Sequence, residues 1–217
     1  MRFSLPSREL IADSLETVVS AQHYDGLICI PGCDKNLPAS AMALARLNRP
    51  GLVIYGGSMK PSYHSINGNI EKLDIVSSFE SYGRYIKGEI DDNNRLDIVK
   101  NSCHKSCGAC SGFYTANTMA CILEVMGLML PNGSSNMSMS IEKEKEISKS
   151  GKTLYNMLKN DIKPLDIMTR ESFINAVKFL TLIGGSTNGV IHLLAIAKTA
   201  GVNLTLKDFK DNFTFVI

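Results

Sequence analysis

Cys33, Asp34 and Lys35 stand side by side, directly after the apolar run Leu27-Ile28-Cys29-Ile30 and Pro31-Gly32. Thiolate suits a soft metal centre, whereas carboxylate suits a hard cation such as Mg²⁺. A loop offering both is equipped to build two different inorganic centres around one substrate. A second group of reactive side chains follows in Cys103-His104-Lys105-Ser106-Cys107-Gly108-Ala109-Cys110, where Cys107 and Cys110 form a C-x-x-C pair ahead of a helical pattern beginning at Thr115. The partial positive charge at a helix N-terminus favours thiolate. Gly108 and Gly112 let the backbone approach a cluster closely and donate N–H groups to sulfur.

Four uses of these thiols compete. Disulfide exchange lacks the usual thioredoxin-like neighbours. Structural zinc on Cys33 and three cluster cysteines has the ligand count but no second C-x-x-C pair. Burial as small hydrophobes suits Cys29 and Cys121, which lie inside apolar runs. An iron–sulfur centre with one ligand from the Cys33 loop and one from the Cys110 loop fits best.

The elements that must position these groups read as an α/β pattern. Ser7–Gln22 places Leu10, Ile11, Leu15, Val18 and Val19 on one helical face, with Ser7 as cap. Leu27–Ile30 reads as a short buried strand, Pro38 sits in the first turn of a second helix, and Leu52–Tyr55 is a second strand closed by Gly56-Gly57. Strand, loop, helix and strand in this order make a βαβ unit with parallel pairing. The loop after the first strand then lies at the carboxyl end of a parallel sheet, where ligands bind.

Further along, Ser58–Asn69 reads as a surface loop, Leu73–Ile86 as a helix and Asp91–Arg95 as a charged turn. Thr115–Leu130 is a buried helix stopped by Pro131-Asn132-Gly133, with Met119, Met126 and Met129 as core fillers. Asn132–Ser140 is a loop, Glu142–Asp161 a charged amphipathic helix, and Thr169 the cap of Arg170–Ile183. Gly184-Gly185-Ser186-Thr187-Asn188 interrupts before Val190–Ala200, with Ser186 and Thr187 as caps and Gly184-Gly185 placed near a substrate. The Glu142–Lys149 charges read as a solvated face, His104 as a solvated loop residue and His192 as a satisfied core residue. The expected fold is a layered α/β/α domain over 1–217 with a largely parallel central sheet.

Bulk properties narrow the function. The 217 residues are 44% hydrophobic and 20% charged, with a formal net charge of +2, an ordinary globular composition. No basic face with interleaved aromatics suggests nucleic acid, and no apolar stretch reaches membrane-spanning length. The amino terminus lacks the apolar core of a secretory signal, so reduced thiols in the cytoplasm are the expectation for the six cysteines.

Several motifs, in order, resemble the dihydroxy-acid dehydratase family, the group that also contains 6-phosphogluconate and sugar-acid dehydratases. They are Met1-Arg2-Phe3-Ser4-Leu5-Pro6-Ser7-Arg8, Cys33-Asp34-Lys35-x-x-Pro38-Ala39-x-x-x-Ala43, Gly108–Met119 and Gly184-Gly185-Ser186-Thr187-Asn188-Gly189-Val190. Leu47-Asn48-Arg49-Pro50 and Tyr55-Gly56-Gly57 resemble the branched-chain enzyme more than its sugar-acid relatives. The similarity spans nearly the whole chain.

This resemblance implies an iron–sulfur cluster on Cys33 and Cys110, [2Fe–2S] favoured over [4Fe–4S]. It implies Mg²⁺ on Asp34 and on Lys35, carbamylated because an ammonium cannot ligate a cation. The implied reaction removes water from a small 2,3-dihydroxy acid to give a 2-keto acid, in a homodimeric enzyme. The family places a third cluster cysteine and another Mg²⁺ aspartate before this segment, and its serine base and a further acidic ligand in a carboxyl-terminal domain. The stretch Cys103–Cys107 is one residue longer than the family's usual form. The expectation is therefore an amino-terminal portion, truncated at both ends, with part of both centres and no catalytic base.

Overall fold

A computed structural model describes residues 2–66, 68–102 and 106–213. Its elements run α1 (Ser4–Ala21), β1 (Leu27–Cys29), α2 (Asn36–Leu47), β2 (Gly51–Val53), β3 (Ser62–Ile66), β4 (Asn69–Leu73), α3 (Ile75–Ile86), α4 (Asp92–Ser102), α5 (Thr115–Val125), α6 (Ile141–Lys159), α7 (Pro164–Ile167), α8 (Arg170–Leu182), α9 (Asn188–Thr199) and α10 (Leu206–Phe213).

The expected βαβ unit is present: β1 and β2 pair in parallel, with Leu27 opposite Gly51 and Cys29 opposite Val53. The pairing continues past both strands, since Ile54 N donates to Cys29 O at 2.8 Å and Gly56 N to Pro31 O at 2.9 Å. Side chains alternate across a strand, and here the alternation separates two layers. Leu52 and Ile54 pack with Met157 of α6 on one face. Val53 and Tyr55 enter the main core on the other, which draws on α1, α2, α5, α8 and α9. Helices on both faces bury the strand completely, the arrangement that parallel pairing requires. The chain is thus an α/β domain with a small parallel sheet at its centre.

Several boundaries differ from the sequence expectation, each for a local reason. Ser58–Asn69 is not all surface loop: it contains β3, which pairs with β4 as an antiparallel hairpin; only Ser62 and Ile66 of β3 are buried, so its apolar signal is sparse. Asp91–Arg95 is the start of a helix rather than a turn: Asp91 accepts from Asn94 N at 2.7 Å, and α4 runs on to Ser102. α1 begins at Ser4, and Ser7 donates its hydroxyl to Ser4 O at 2.7 Å instead of capping. α5 stops at Val125 because Gly127 takes φ +85°. Leu128 N then bonds Leu123 O and Gly127 N bonds Glu124 O, both at 2.9 Å, a Schellman closure.

The Glu142–Lys149 run is not simply a solvated face. Lys143 and Glu146 are buried and paired at 2.7 Å. The Lys143 ammonium also donates to Tyr55 O at 2.7 Å and Gly133 O at 3.1 Å. α6 is therefore fastened to the end of the central strand by a buried charge, a role that its charged sequence disguises.

Candidate metal-binding site

The site is built on the two flanks of one extended segment, residues 51–59. Its even-numbered amides face β1, through the bonds to Cys29 and Pro31. Its odd-numbered groups face the other way: Val53 N donates to Leu128 O at 2.8 Å, Gly57 O accepts from Ala109 N at 2.8 Å, and Met59 N donates to Ala109 O at 2.9 Å. The chain leaving β1 carries Cys33, Asp34 and Lys35 along one flank, and the chain through Ala109 carries Cys110 along the other. Two glycines permit this approach. A Cβ on Gly57 (φ +87°) would lie 2.4 Å from Ser138 N, and one on Gly108 (φ +142°) 2.7 Å from Met59 N.

Tyr55, fully buried between the flanks, is held by Asn117 of α5, whose Oδ1 accepts from the Tyr55 hydroxyl at 2.9 Å. The same amide donates to Cys110 O at 2.8 Å and Gly112 O at 2.5 Å. Burial pushes the Tyr55 hydroxyl pKa up, and the charges of Cys110, Cys33 and Cys121 push it further. One phenol therefore senses thiols from both flanks. Sequence reasoning passed over Tyr55 and Asn117, although a polar side chain in a buried strand or helix face signals an obligatory partner.

On the first flank, Asn36 accepts from Cys33 N at 2.7 Å and α2 begins at once, with Lys35 as its N-cap. Cys33 is exposed, and its Sγ lies 3.4 Å from Asp34 Oδ1. Burial, aided by the Asp34 side chain, raises the thiol pKa despite a backbone hydrogen bond that lowers it. Lys35 Nζ meets Asp34 Oδ2 at 2.7 Å. Burial works against ionisation of Asp34, but the Lys35 hydrogen bond and charge outweigh it and hold the carboxyl below its ordinary range. The Lys35–Asp34 pair is what a plain surface reading of these residues expects, except that Lys35 is buried, only 9% exposed.

An open cavity of about 440 Å³ adjoins Asp34 and Lys35, lined also by Arg2 and Ser4 from the chain's start and by Asn188 from α9. His192, one turn along α9 from Asn188, is fully buried, with Nδ1 3.1 Å from an Arg8 guanidinium nitrogen and no partner for Nε2 among the described residues. His192 is thus a core residue, as expected, but only half satisfied. Burial and then the Lys35 and Arg8 charges push its pKa down to about 4. A second cavity, about 560 Å³, opens beside Arg8 and Arg46, where Arg46 already binds Glu9, Asp13 and Glu16.

Among the remaining thiols, Cys29 is buried as expected and its pKa is pushed up to about 11 by that burial. Cys121 is only partly buried. Cys107 is exposed, its Sγ 3.7 Å from Ser138 Oγ. Cys103 and His104 lie outside the described residues. Among the described residues, no three His, Cys, Asp or Glu side chains gather as a metal site. Ser186 bonds Thr115 Oγ1 at 2.9 Å and accepts from Asn188 N at 3.3 Å, whereas Thr187 makes no side-chain cap. Gly184 and Gly185 line a smaller cavity with Leu180 and Phe209, separate from the one at Asp34.

The profile of the family described as "Dihydroxy-acid/6-phosphogluconate dehydratase N-terminal" matches residues 1–216. The dihydroxy-acid dehydratase of Francisella tularensis strain SCHU S4 is 52% identical over 211 residues, covering 97% of this chain and 37% of that protein. The mitochondrial dihydroxy-acid dehydratase of Schizosaccharomyces pombe is 51% identical over 210 residues, 97% of this chain and 35% of that protein. The chain spans little more than a third of the length of these relatives. On its motifs, its fold and this match along almost all its length, the chain belongs to the dihydroxy-acid/6-phosphogluconate dehydratase family and corresponds to that family's N-terminal part.

Proposed function

We propose that this chain is the amino-terminal portion of a dihydroxy-acid dehydratase, a hydro-lyase of branched-chain amino-acid synthesis. It would convert 2,3-dihydroxyisovalerate and 2,3-dihydroxy-3-methylvalerate to their 2-keto acids. Cys33 and Cys110 would hold an iron–sulfur cluster, and Asp34 with N-carboxylated Lys35 would hold Mg²⁺. The observation that carries this reading is that the chains bearing Cys33-Asp34-Lys35 and Cys110 are hydrogen-bonded to opposite edges of one segment, residues 51–59.

The donors fit the two groups. Cys33 is accessible and Cys110 partly so, and their chains bond opposite edges of one segment, so soft ligands are available from both flanks. As an ammonium, Lys35 neutralises Asp34 and offers no lone pair. N-carboxylation reverses its charge and places two hard oxygen donors beside the Asp34 carboxylate, a set suited to Mg²⁺. When bound, the two groups would supply Lewis acidity toward the hydroxyls and carboxylate of a 2,3-dihydroxy acid. The chain's own residues hold and orient. Asn117 fixes the Cys110 loop through its carbonyls, Asn36 fixes Cys33, and Lys35 and Asp34 face a cavity open to a small acid. No residue here is assigned as the base. The proposed compartment is the cytoplasm, where exposed thiols such as Cys33 and Cys107 would stay reduced.

Anaerobic reconstitution with iron and sulfide tests the reading. The expected result is a visible charge-transfer spectrum that is lost in Cys33→Ser and Cys110→Ser. Tight, colourless zinc binding by the same thiols would overturn it. The 217-residue chain by itself is expected not to dehydrate 2,3-dihydroxyisovalerate.

A further inference from the structure

We propose that His192 is a positioning residue for N-carboxylated Lys35, its Nε2–H donating a hydrogen bond to a carbamate oxygen; the proposal rests on the reading of Lys35 just given. A guanidinium only donates, so the 3.1 Å contact with Arg8 makes His192 Nδ1 the acceptor and leaves the ring proton on Nε2. That Nε2–H is fully buried and has no acceptor among the described residues, a condition rare enough in folded proteins to need an explanation. Asn188 lines the cavity at Asp34 and Lys35, and His192 lies one turn further along α9 on the same face. The imidazole interacts electrostatically with Lys35, Arg8 and Asp34.

The unmodified site is mismatched. Arg8 is paired with Glu9 at 2.7 Å, but the His192 Nε2–H meets no acceptor among the described residues, while the one carboxylate on the loop, Asp34, is taken up by Lys35 and the Cys33 thiol. Carboxylation removes the mismatch. The Lys35 ammonium gives a proton to solvent, and its nitrogen lone pair attacks the carbon of CO₂. An N–C bond forms, one C–O π bond becomes a carboxylate lone pair, and a second nitrogen proton leaves. Two protons are released and nothing is oxidised or reduced. A donor becomes an acceptor beside an unpartnered buried N–H, and the neutral imidazole can donate to it.

The test uses the 217-residue chain with ¹³C-bicarbonate and Mg²⁺, O-alkylation to trap carbamate, and mass spectrometry of the Lys35 peptide. His192→Gln keeps an N–H donor at the Nε2 position, and His192→Asn keeps one only at the Nδ1 position. The expected result is labelled Lys35 in the wild type and in His192→Gln, with occupancy about tenfold lower in His192→Asn, the loss of one charge-assisted hydrogen bond. Equal labelling of Asn and Gln variants, high or low, overturns the assignment to His192 while leaving carboxylated Lys35 standing. An unlabelled wild type overturns both. Should the variants not fold, ¹⁵N NMR of the wild type decides. The His192 Nε2–H resonance is expected to move downfield with bicarbonate, and an unmoved resonance sinks the proposal.

Discussion

Asn117 shows how one side chain can order a site made of loops. Its oxygen takes the Tyr55 hydroxyl, and its amide nitrogen takes the carbonyls of Cys110 and Gly112. Truncation strands those buried partners, each at a cost of about 1–3 kcal/mol. Asn117→Ala is therefore expected to lower unfolding free energy in urea by about 3 kcal/mol, and Tyr55→Phe, which strands only Asn117 Oδ1, by about 1 kcal/mol. Similar losses for both would place the constraint in the ring packing and not in the amide. His192 makes a different prediction, on pH. Its folded pKa, about 4, lies below the ordinary histidine value of about 6.5. The unfolded chain thus binds the proton more readily, and stability falls as pH drops from about 6.5 toward 4, by up to about 3 kcal/mol. Urea titrations between pH 7 and 5 should show a decline in the wild type that His192→Gln lacks. Parallel pH curves for the two proteins would show that the imidazole is not the group responsible.

Gly57 and Gly108 do for the backbone what Asn117 does for side chains. Both take positive φ where a neighbouring main chain occupies the space of a Cβ. Gly57→Ala combines a disfavoured conformation with a 2.4 Å approach to Ser138 N, and is expected to destabilise by about 3 kcal/mol or more. The shift should lengthen the Ser138 N–Ser58 O bond, seen as faster amide exchange at Ser138. Wild-type stability and exchange in this variant would mean that the two loops do not rely on this approach. Lys143 clamps the same region from α6, holding Tyr55 O, Gly133 O and Glu146 at once. Lys143→Met should cost about 3–5 kcal/mol by chemical denaturation, because it leaves the Glu146 carboxylate buried without its cation. The sequence made the parallel unit and the Cys33 loop legible, since a β-rich apolar run, a proline in the first helical turn and a second apolar run have few other solutions. It hid the clamp, because i, i+3 charge pairs on an amphipathic helix look alike whether solvated or buried.

Apart from the Leu52, Ile54 and Met157 layer on the far face of the sheet, burial is divided between a large core and a small outlying one, and the difference should show in how the molecule opens. The main cluster joins α1, α2, α5, α8 and α9 around the central strand. β3, β4, α3 and α4 bury a separate set, Ile66, Leu73, Ile90 and Ile98. This outlying unit was the least legible part of the chain. Its hairpin alternates among mostly polar residues, and the large apolar side chains Phe79, Tyr82 and Ile86 of α3 are exposed. The helix was legible but its packing was not, since among α3 residues Ser81 alone is buried. Four buried apolar side chains provide far less burial free energy than the main cluster, at about 25 cal/mol per Å² of apolar surface. The unit is held locally by the Asp74 capping box, by Arg84 on Glu71 at 2.8 Å and by His64 on Asp97 at 2.6 Å, partly exposed pairs of small worth. Residues 62–102 should therefore exchange their amide hydrogens through a sub-global opening, at a free energy several kcal/mol below that of Leu123 or Val177 in the main core. Their exchange should depend less steeply on urea than that of the main core, because the opening exposes less surface. Native-state exchange measured by NMR across low urea concentrations separates the two behaviours. If the amides of α3, α4 and the hairpin merge with those of α5 and α8 into one isotherm, the two cores unfold as one cooperative unit.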